Sequence, residues 1–321
     1  MKLSDLIDAY KTDTDSPYRK LRFGTRAYYN SLCRRLRNDL GGIAIADLKA
    51  RQILHWHEGF VSNGKIPMGH SVIGMLRILV GFGATILEDD DCARLSGMLS
   101  KMRFKMPKPR AAVLTADNAN AIRSELHKAG HHSIALAQAF QFECMFRQKD
   151  VIGEWIPIAE PGLSDVISAG RKWLRGIRWE EVDANMVLTH VTSKRQKEIT
   201  VDLKSAGMVM EELGNVTRSQ LPATGPIIVS EKSGKPWSSV EFRRVWRLAA
   251  DAAQIPKGIR NMDSRAGAIT EATEAGADLE HIKHAATHSD IGMTQRYSRG
   301  AEEKIAGVMR QRAEFRASKN H

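Results

Sequence analysis

The chain has 321 residues, 42% of them hydrophobic, which suits one large or two moderate domains with buried cores and excludes a disordered chain. Lys and Arg number 48 against 37 Asp and Glu, a net charge of +11; this favours a polyanionic partner, nucleic acid first, although an ordinary basic protein shows the same balance. Cys33, Cys92 and Cys144 stand alone without a CxxC pair, which argues against a disulfide framework or a zinc ribbon and fits a reducing cytoplasm.

No early run has the pattern of a signal peptide. The longest apolar stretch, near residues 78–87, is interrupted by glycines and too short to cross a bilayer, so no membrane partner is expected. Residues 1–105 read as helices. The run 25–40 carries Tyr28, Leu32 and Leu36 at four-residue spacing, an apolar stripe, with Arg22, Arg26, Arg34, Arg35 and Arg37 on the other faces and Gly41-Gly42 as its end. Asp47 is expected to open a helix through Ile53 and Trp56, followed by helices over about 71–87 and 90–102. The arginine row suits phosphate contact; the alternative is a solvated helix face. KMRFKMPKPR, residues 101–110, is rich in Lys and Arg, and Pro107 and Pro109 bar a continuing helix. Residues 106–111 are therefore taken as a basic linker, and Lys105, Lys108 and Arg110 as candidate contacts to a DNA backbone.

The second domain is expected over 112–321. Thr115, with Asn118 three places on, marks a helix start. A helix over 133–146 is dense in Ala, Leu and Phe and therefore buried. Arg147 follows it. A charge beside so apolar a helix needs a partner, either a salt bridge to Asp150 or Glu154 or a functional anion. Residues 177–183 are predicted to form a strand, as are 227–229, while 187–190 and 198–203 alternate as paired strands around the basic turn 192–197. Ser238 and Glu241 form a capping box ahead of a helix carrying Phe242, Val245, Trp246 and Ala249, with Arg243, Arg244 and Arg247 opposite, a face either solvated or against DNA.

The chain is organised around the stretch NMDSRAGAITEATEAGADLEHIKHAATHSDIGMTQRYSRG, residues 261–300. Arg265 stands at a helical run over 266–275 with Gly276 as its stop, Asp278 caps the next helix, and Ser289 is placed to cap a third that carries Met293 and Tyr297. An Arg, and a His nine residues ahead of a Tyr, suit phosphoryl transfer: the phenol is a nucleophile, and Arg and His donate hydrogen bonds to a developing oxyanion. His281, His284 and His288 also have ligand-like spacing, but no nearby Cys or Glu completes a clear zinc site, and no metal is expected.

ATHSDIGMTQRYSR resembles the final motif of the tyrosine recombinases, the phage integrase family, and MDSRAGAIT resembles the His-x-x-Arg box before it. The end of the buried helix, with Arg147, is similar to that family's first box. The resemblance implies a mostly α protein with a small β-hairpin or sheet, an N-terminal helical core-binding domain followed by an α+β catalytic domain. It implies Arg147, Lys194, Arg265, His288 and Tyr297 as catalytic residues, with Lys197 as the fallback for Lys194. It further implies a 3′-phosphotyrosyl intermediate, strand exchange between two duplexes, no cofactor, double-stranded DNA as partner, a homo-tetramer on two duplexes, accessory DNA-bending proteins as possible helpers, and a C-terminal helix that docks on a neighbouring protomer; the alternative for that helix is to fold back on its own domain. Two positions depart from the pattern: Met262 stands where the family has His, and Thr287 where it has Gly. Met262 cannot accept the tyrosyl proton, which keeps open a catalytically weakened, DNA-binding homologue; a topoisomerase of related chemistry fits the size less well.

Overall fold

The structure, a computed structural model, describes residues 1–108, 110, 112–288, 290, 292 and 309. The chain divides into two compact units, Met1–Arg110 and Ala111–His321.

The first unit is helical: α1 (Leu3–Thr12), α2 (Phe23–Leu40), α3 (Ala50–Ser62), α4 (Ile66–Thr85) and α5 (Asp90–Lys101). Sequence reading passed over α1, yet Leu3, Leu6, Ile7 and Tyr10 fall at helical spacing and are all buried. Helix α4 begins earlier than expected because Pro67, lacking an N–H, sits in its first turn where that donor is unneeded. At 20 residues α4 is long and apolar enough to cross a membrane, but half of it is buried within the protein, where Val72, Leu76, Leu79 and Val80 form the middle of this core. Asp47 does not open α3. It lies in a 3₁₀ turn, Ile45–Asp47, after which Leu48 stays extended and buries its side chain, so the helix waits until Ala50. Leu32 and Leu36 of the α2 stripe are buried, whereas Tyr28 is 48% exposed. The first residues after α5 are anchored rather than loose. Arg77 donates to the carbonyls of Leu99 (2.9 Å) and Met102 (3.2 Å), and its guanidinium lies over the Phe104 ring.

In the second unit, α6 (Ala116–Lys128) starts at the Thr115–Asn118 capping box. Helix α7 (His132–Glu143) is buried on all sides from Ile134 to Phe142 and forms the axis of the core. It ends earlier than expected because Met145 adopts φ +53°, the left-handed turn that stops a helix. Helix α8 (Gln148–Ile152) follows, with Arg147 at its N-cap. Strands β1 (Glu154–Pro157), β2 (Ile167–Ser168) and β3 (Arg171–Leu174) form an antiparallel sheet in the order β1-β3-β2. The hairpin of β4 (Val187–Val191) and β5 (Glu198–Asp202) pairs Thr189 with Thr200. Helix α9 (Gly207–Glu212) packs on α7, and α10 (Ser239–Ala252), α11 (Asp263–Glu274) and α12 (Leu279–Ala285) complete the described elements. Two predicted strands are absent among the described residues. Residues 177–183 contain a 3₁₀ turn, Trp179–Glu181, and 227–229 contribute only an isolated bridge from Val229 to Pro236. Their alternating apolar residues serve burial instead: Ile177 bonds to the Asp150 carbonyl, Ile227 bonds to the Ile177 carbonyl, and all of Ile177, Ile227 and Ile228 enter the core without a ladder.

Candidate active site

Three well-separated pieces of chain meet at one place: the end of α7, the start of α11 and the turn after α12. The meeting is built on polar groups buried inside the second unit. Gln138 and Gln141 project from α7 toward the start of α11. Gln141 and Asn261 exchange two amide hydrogen bonds, 3.0 and 2.9 Å, and Gln138 accepts from the Trp246 indole at 2.7 Å while it donates to the Ser264 hydroxyl at 3.1 Å. The Asp263 carboxylate accepts from the Arg260 N–H at 2.8 Å across the first turn of α11. Sequence reading missed all of these; the available signal was a pair of glutamines inside an otherwise apolar helix, which must find partners when buried. Close approach is permitted by Gly267, where a Cβ would lie 1.7 Å from the Leu114 carbonyl oxygen.

So held, Arg265 donates from Nη1 to the Met145 carbonyl at 2.6 Å and from Nη2 to the Ala286 carbonyl. The next residue along, Thr287, accepts from Arg147 Nη1 at 2.9 Å. The residue after that is His288, buried to 6% exposure. Three consecutive residues thus tie down one guanidinium, then the other, then supply an imidazole. Gly276 at φ +79° ends α11, and the Asp278 carboxylate caps α12 by accepting from the N–H groups of Glu280 (2.8 Å) and His281 (3.1 Å), as the sequence suggested.

The β4–β5 turn is fixed to the same place. Asp150 is buried, accepts from the Ser193 N–H at 2.7 Å and lies 3.8 Å from Arg147, so the ion pair foreseen with Asp150 is a long one. Glu154, the other foreseen partner, pairs instead with Lys149 and Arg175. A cleft of about 390 Å³ is lined by Arg195, Lys197, Lys283, His284, Thr287 and His288. Lys194 is exposed in the turn beside it and is not among those lining residues, whereas Lys197 is. Met262, ahead of α11, is 65% exposed. Tyr297, Ser289, Met293 and the C-terminal helix lie outside the described residues.

The charged neighbours of His288 are cationic. Burial, and then the neighbouring guanidiniums of Arg265, Arg147 and Arg195, push His288 down to about 4, so the imidazole is neutral at neutral pH and keeps one N–H to donate. The two arginines are tethered by carbonyl and hydroxyl oxygens, neutral acceptors that orient them, and the buried Asp150 carboxylate stands 3.8 Å from Arg147. Such a cleft suits an anion with several oxygens, such as a phosphodiester. Among the described residues no group of three His, Cys, Asp or Glu is arranged to hold a metal, His281, His284 and His288 included.

The candidate DNA contacts divide. Arg22, Arg34, Lys105, Lys108 and Arg110 are exposed, and Arg35 is exposed with its guanidinium 5.7 Å from the Phe60 ring centroid. Arg26 donates to the Leu21 carbonyl at 2.8 Å, and Arg37 is engaged by Asp8. On α10, Arg244 pairs with Glu241 and Arg243 donates to the Ser239 carbonyl, on the exposed face opposite Phe242 and Trp246.

Residues 172–304 match the phage integrase family. No curated protein sequence matches the chain. Among solved structures, a dimer of lambda integrase residues 75–356 bound to a COC′ core site has a TM-score of 0.71 at 17% identity, covering 94% of this chain and 98% of that one. A lambda integrase tetramer bound to a Holliday junction has a TM-score of 0.67 at 17% identity, over 90% of this chain and 78% of that one. The Tn1549 transposon integrase (residues 82–397) with circular intermediate DNA has a TM-score of 0.65 at 14% identity, over 96% of this chain and 99% of that one. At these identities the likeness is one of fold.

Proposed function

We propose that the protein is a site-specific DNA recombinase, a reading supported by the match of residues 172–304 to the phage integrase family. The observation that carries this reading is the convergence of Arg147, Arg265 and His288 on residues 286–288, where two guanidiniums are tied to the turn whose Thr287 and neutral His288 line the cleft. The Tyr297 phenol, which ordinarily ionises near ~10, gives its proton to water and attacks a phosphorus bound in this electropositive place. Its oxygen forms a P–O bond as the bond to the 5′ oxygen breaks. Arg147 and Arg265 neutralise the non-bridging oxygens, and His288 donates a further hydrogen bond. The departing 5′ oxygen takes a proton from a lysine of the β4–β5 turn, Lys194 by its place in the motif or Lys197 by its place on the cleft wall. The 3′-phosphotyrosyl ester keeps the energy of the phosphodiester, so a 5′ hydroxyl from a second duplex reverses the reaction without a nucleotide. Exchange between two duplexes calls for four subunits. The lambda integrase tetramer on a Holliday junction supports that arrangement for this chain.

The test is a nicked suicide duplex on which the cut 5′ end diffuses away. The wild-type chain is expected to accumulate a covalent protein–DNA adduct, and Tyr297→Phe to bind DNA equally and form none. An adduct that persists in Tyr297→Phe overturns the assignment. One observation favours a second reading: Met262 places a thioether, which accepts no proton, where a base is expected. A DNA-binding homologue with little or no cleavage would bind the same duplex and leave no adduct with the wild-type chain.

A further inference from the structure

We infer that Thr287 is a positioning residue whose hydroxyl holds the Arg147 guanidinium beside His288. The hydrogen bond stands on its own geometry; its catalytic consequence rests on the recombinase reading.

Thr287 is 2% exposed and has φ +49°. A β-branched residue in the left-handed region is an outlier, since its branched Cβ crowds the backbone. Backbone conformation alone would favour Gly or Asn here, so the threonine side chain must contribute something else. What it contributes is an acceptor, 2.9 Å from Arg147 Nη1. The turn is firmly set: the Thr287 N–H donates to the His284 carbonyl at 2.9 Å, and the His288 N–H to the Lys283 carbonyl at 2.9 Å.

The choice of a hydroxyl matters. A long arginine side chain loses considerable rotamer freedom when fixed, and an acceptor already held in place reduces the part of that cost left for the substrate. A carboxylate at 2.9 Å would fix Arg147 as well but would cancel its charge. The nearby carboxylate, Asp150, makes no hydrogen bond to Arg147: its Oδ2 stands off at 3.8 Å, and its Oδ1 accepts from the Ser193 N–H. The neutral hydroxyl therefore orients the guanidinium without setting a second carboxylate against it. Thr287 also lines the cleft with His288, so the bond is made at the cleft wall.

Three variants of the full chain separate the hydroxyl from the backbone. Thr287→Ser keeps the hydroxyl, Thr287→Val keeps the shape without it, and Thr287→Gly relieves the backbone while removing it. On the nicked duplex, Val and Gly are expected to slow adduct formation by about 10-fold or more with DNA affinity unchanged, and Ser to stay within about twofold of wild type. NMR titration of the His288 imidazole provides a readout independent of cleavage. In wild type and Ser it titrates near 4; in Val and Gly it titrates higher, because Arg147 is released from its side. Thr287→Gly suits the backbone, so it serves if the Val chain fails to fold. Wild-type cleavage and titration in Thr287→Gly would overturn the inference. A wild-type chain that forms no adduct sinks the recombinase reading, and the titration alone still decides whether Thr287 holds Arg147.

Discussion

At the scale of single residues, the site is a problem of keeping positive charge together. Arg147, Arg265, Arg195 and a buried imidazole would repel one another, and the imidazole yields by staying neutral. The stability consequence has a definite sign. His288 has an ordinary value of 6.5 and about 4 in the fold, so between those values the unfolded chain binds the extra proton and the folded chain does not. Stability contributed by the neutral form is present above about 6.5 and is lost as pH falls toward 4. The urea midpoint of the wild-type chain should fall over that window, and His288→Asn should flatten this part of the profile; equal profiles for the two chains would contradict the burial of a neutral imidazole. The proton donor is open to a direct chemical test. A substrate with sulfur in place of the bridging 5′ oxygen leaves without protonation, so it should restore cleavage to whichever variant, Lys194→Ala or Lys197→Ala, has lost the acid. Rescue of neither places the acid elsewhere in the cleft.

At the scale of elements, the seat of α11 against α7 and the Leu114 backbone decides whether Arg147 and Arg265 meet. Gly267→Ala should be among the most damaging small changes in the chain, because the added methyl meets the Leu114 backbone, which has no rotamer to change. A loss of about 1–3 kcal/mol or more in urea unfolding is expected. Gln138→Leu leaves the Trp246 indole N–H without its buried acceptor, while the Ser264 hydroxyl keeps the Asn261 carbonyl, and should cost about 1–3 kcal/mol. Both variants should lose more cleavage than DNA affinity, since the candidate contacts to a duplex lie on other surfaces. The three thiols are a contrast: Cys33, Cys92 and Cys144 are buried and their ionisation is raised chiefly by burial, Cys92 to about 12, so they are packing residues rather than nucleophiles.

At the scale of the whole molecule, Met1–Arg110 and Ala111–His321 each have a core of their own. We propose that the first is a helical DNA-gripping domain and the second the catalytic domain. The fragment 1–110 should then unfold as one cooperative transition and bind duplex DNA weakly and with strong salt dependence. Arg34→Ala should lower the slope of log affinity against log salt by about 1 if that side chain meets a phosphate, and leave it unchanged if the α2 face is merely solvated.

Much of this was legible in the residues. Thr115 with Asn118, Asp278 and Gly276 are local signals, because a cap or a left-handed stop is satisfied within a few residues of itself, and the structure realises each of them. The motif around Arg265, His288 and Tyr297 pointed to the family for the same reason, being written in short spacings. Strands were harder. Residues 177–183 alternate as a strand does, but alternation reports only which side chains are buried, and here burial is achieved by an irregular segment without a ladder. Nor could the sequence tell that Ala286, Thr287 and His288 divide the labour of the cleft, or that Lys197 rather than Lys194 lines its wall. The bonds from Arg147 to Thr287 and from Arg265 to Met145 join residues more than a hundred places apart, and only packing α11 against α7 and α12 brings these oxygens and guanidiniums within bonding distance.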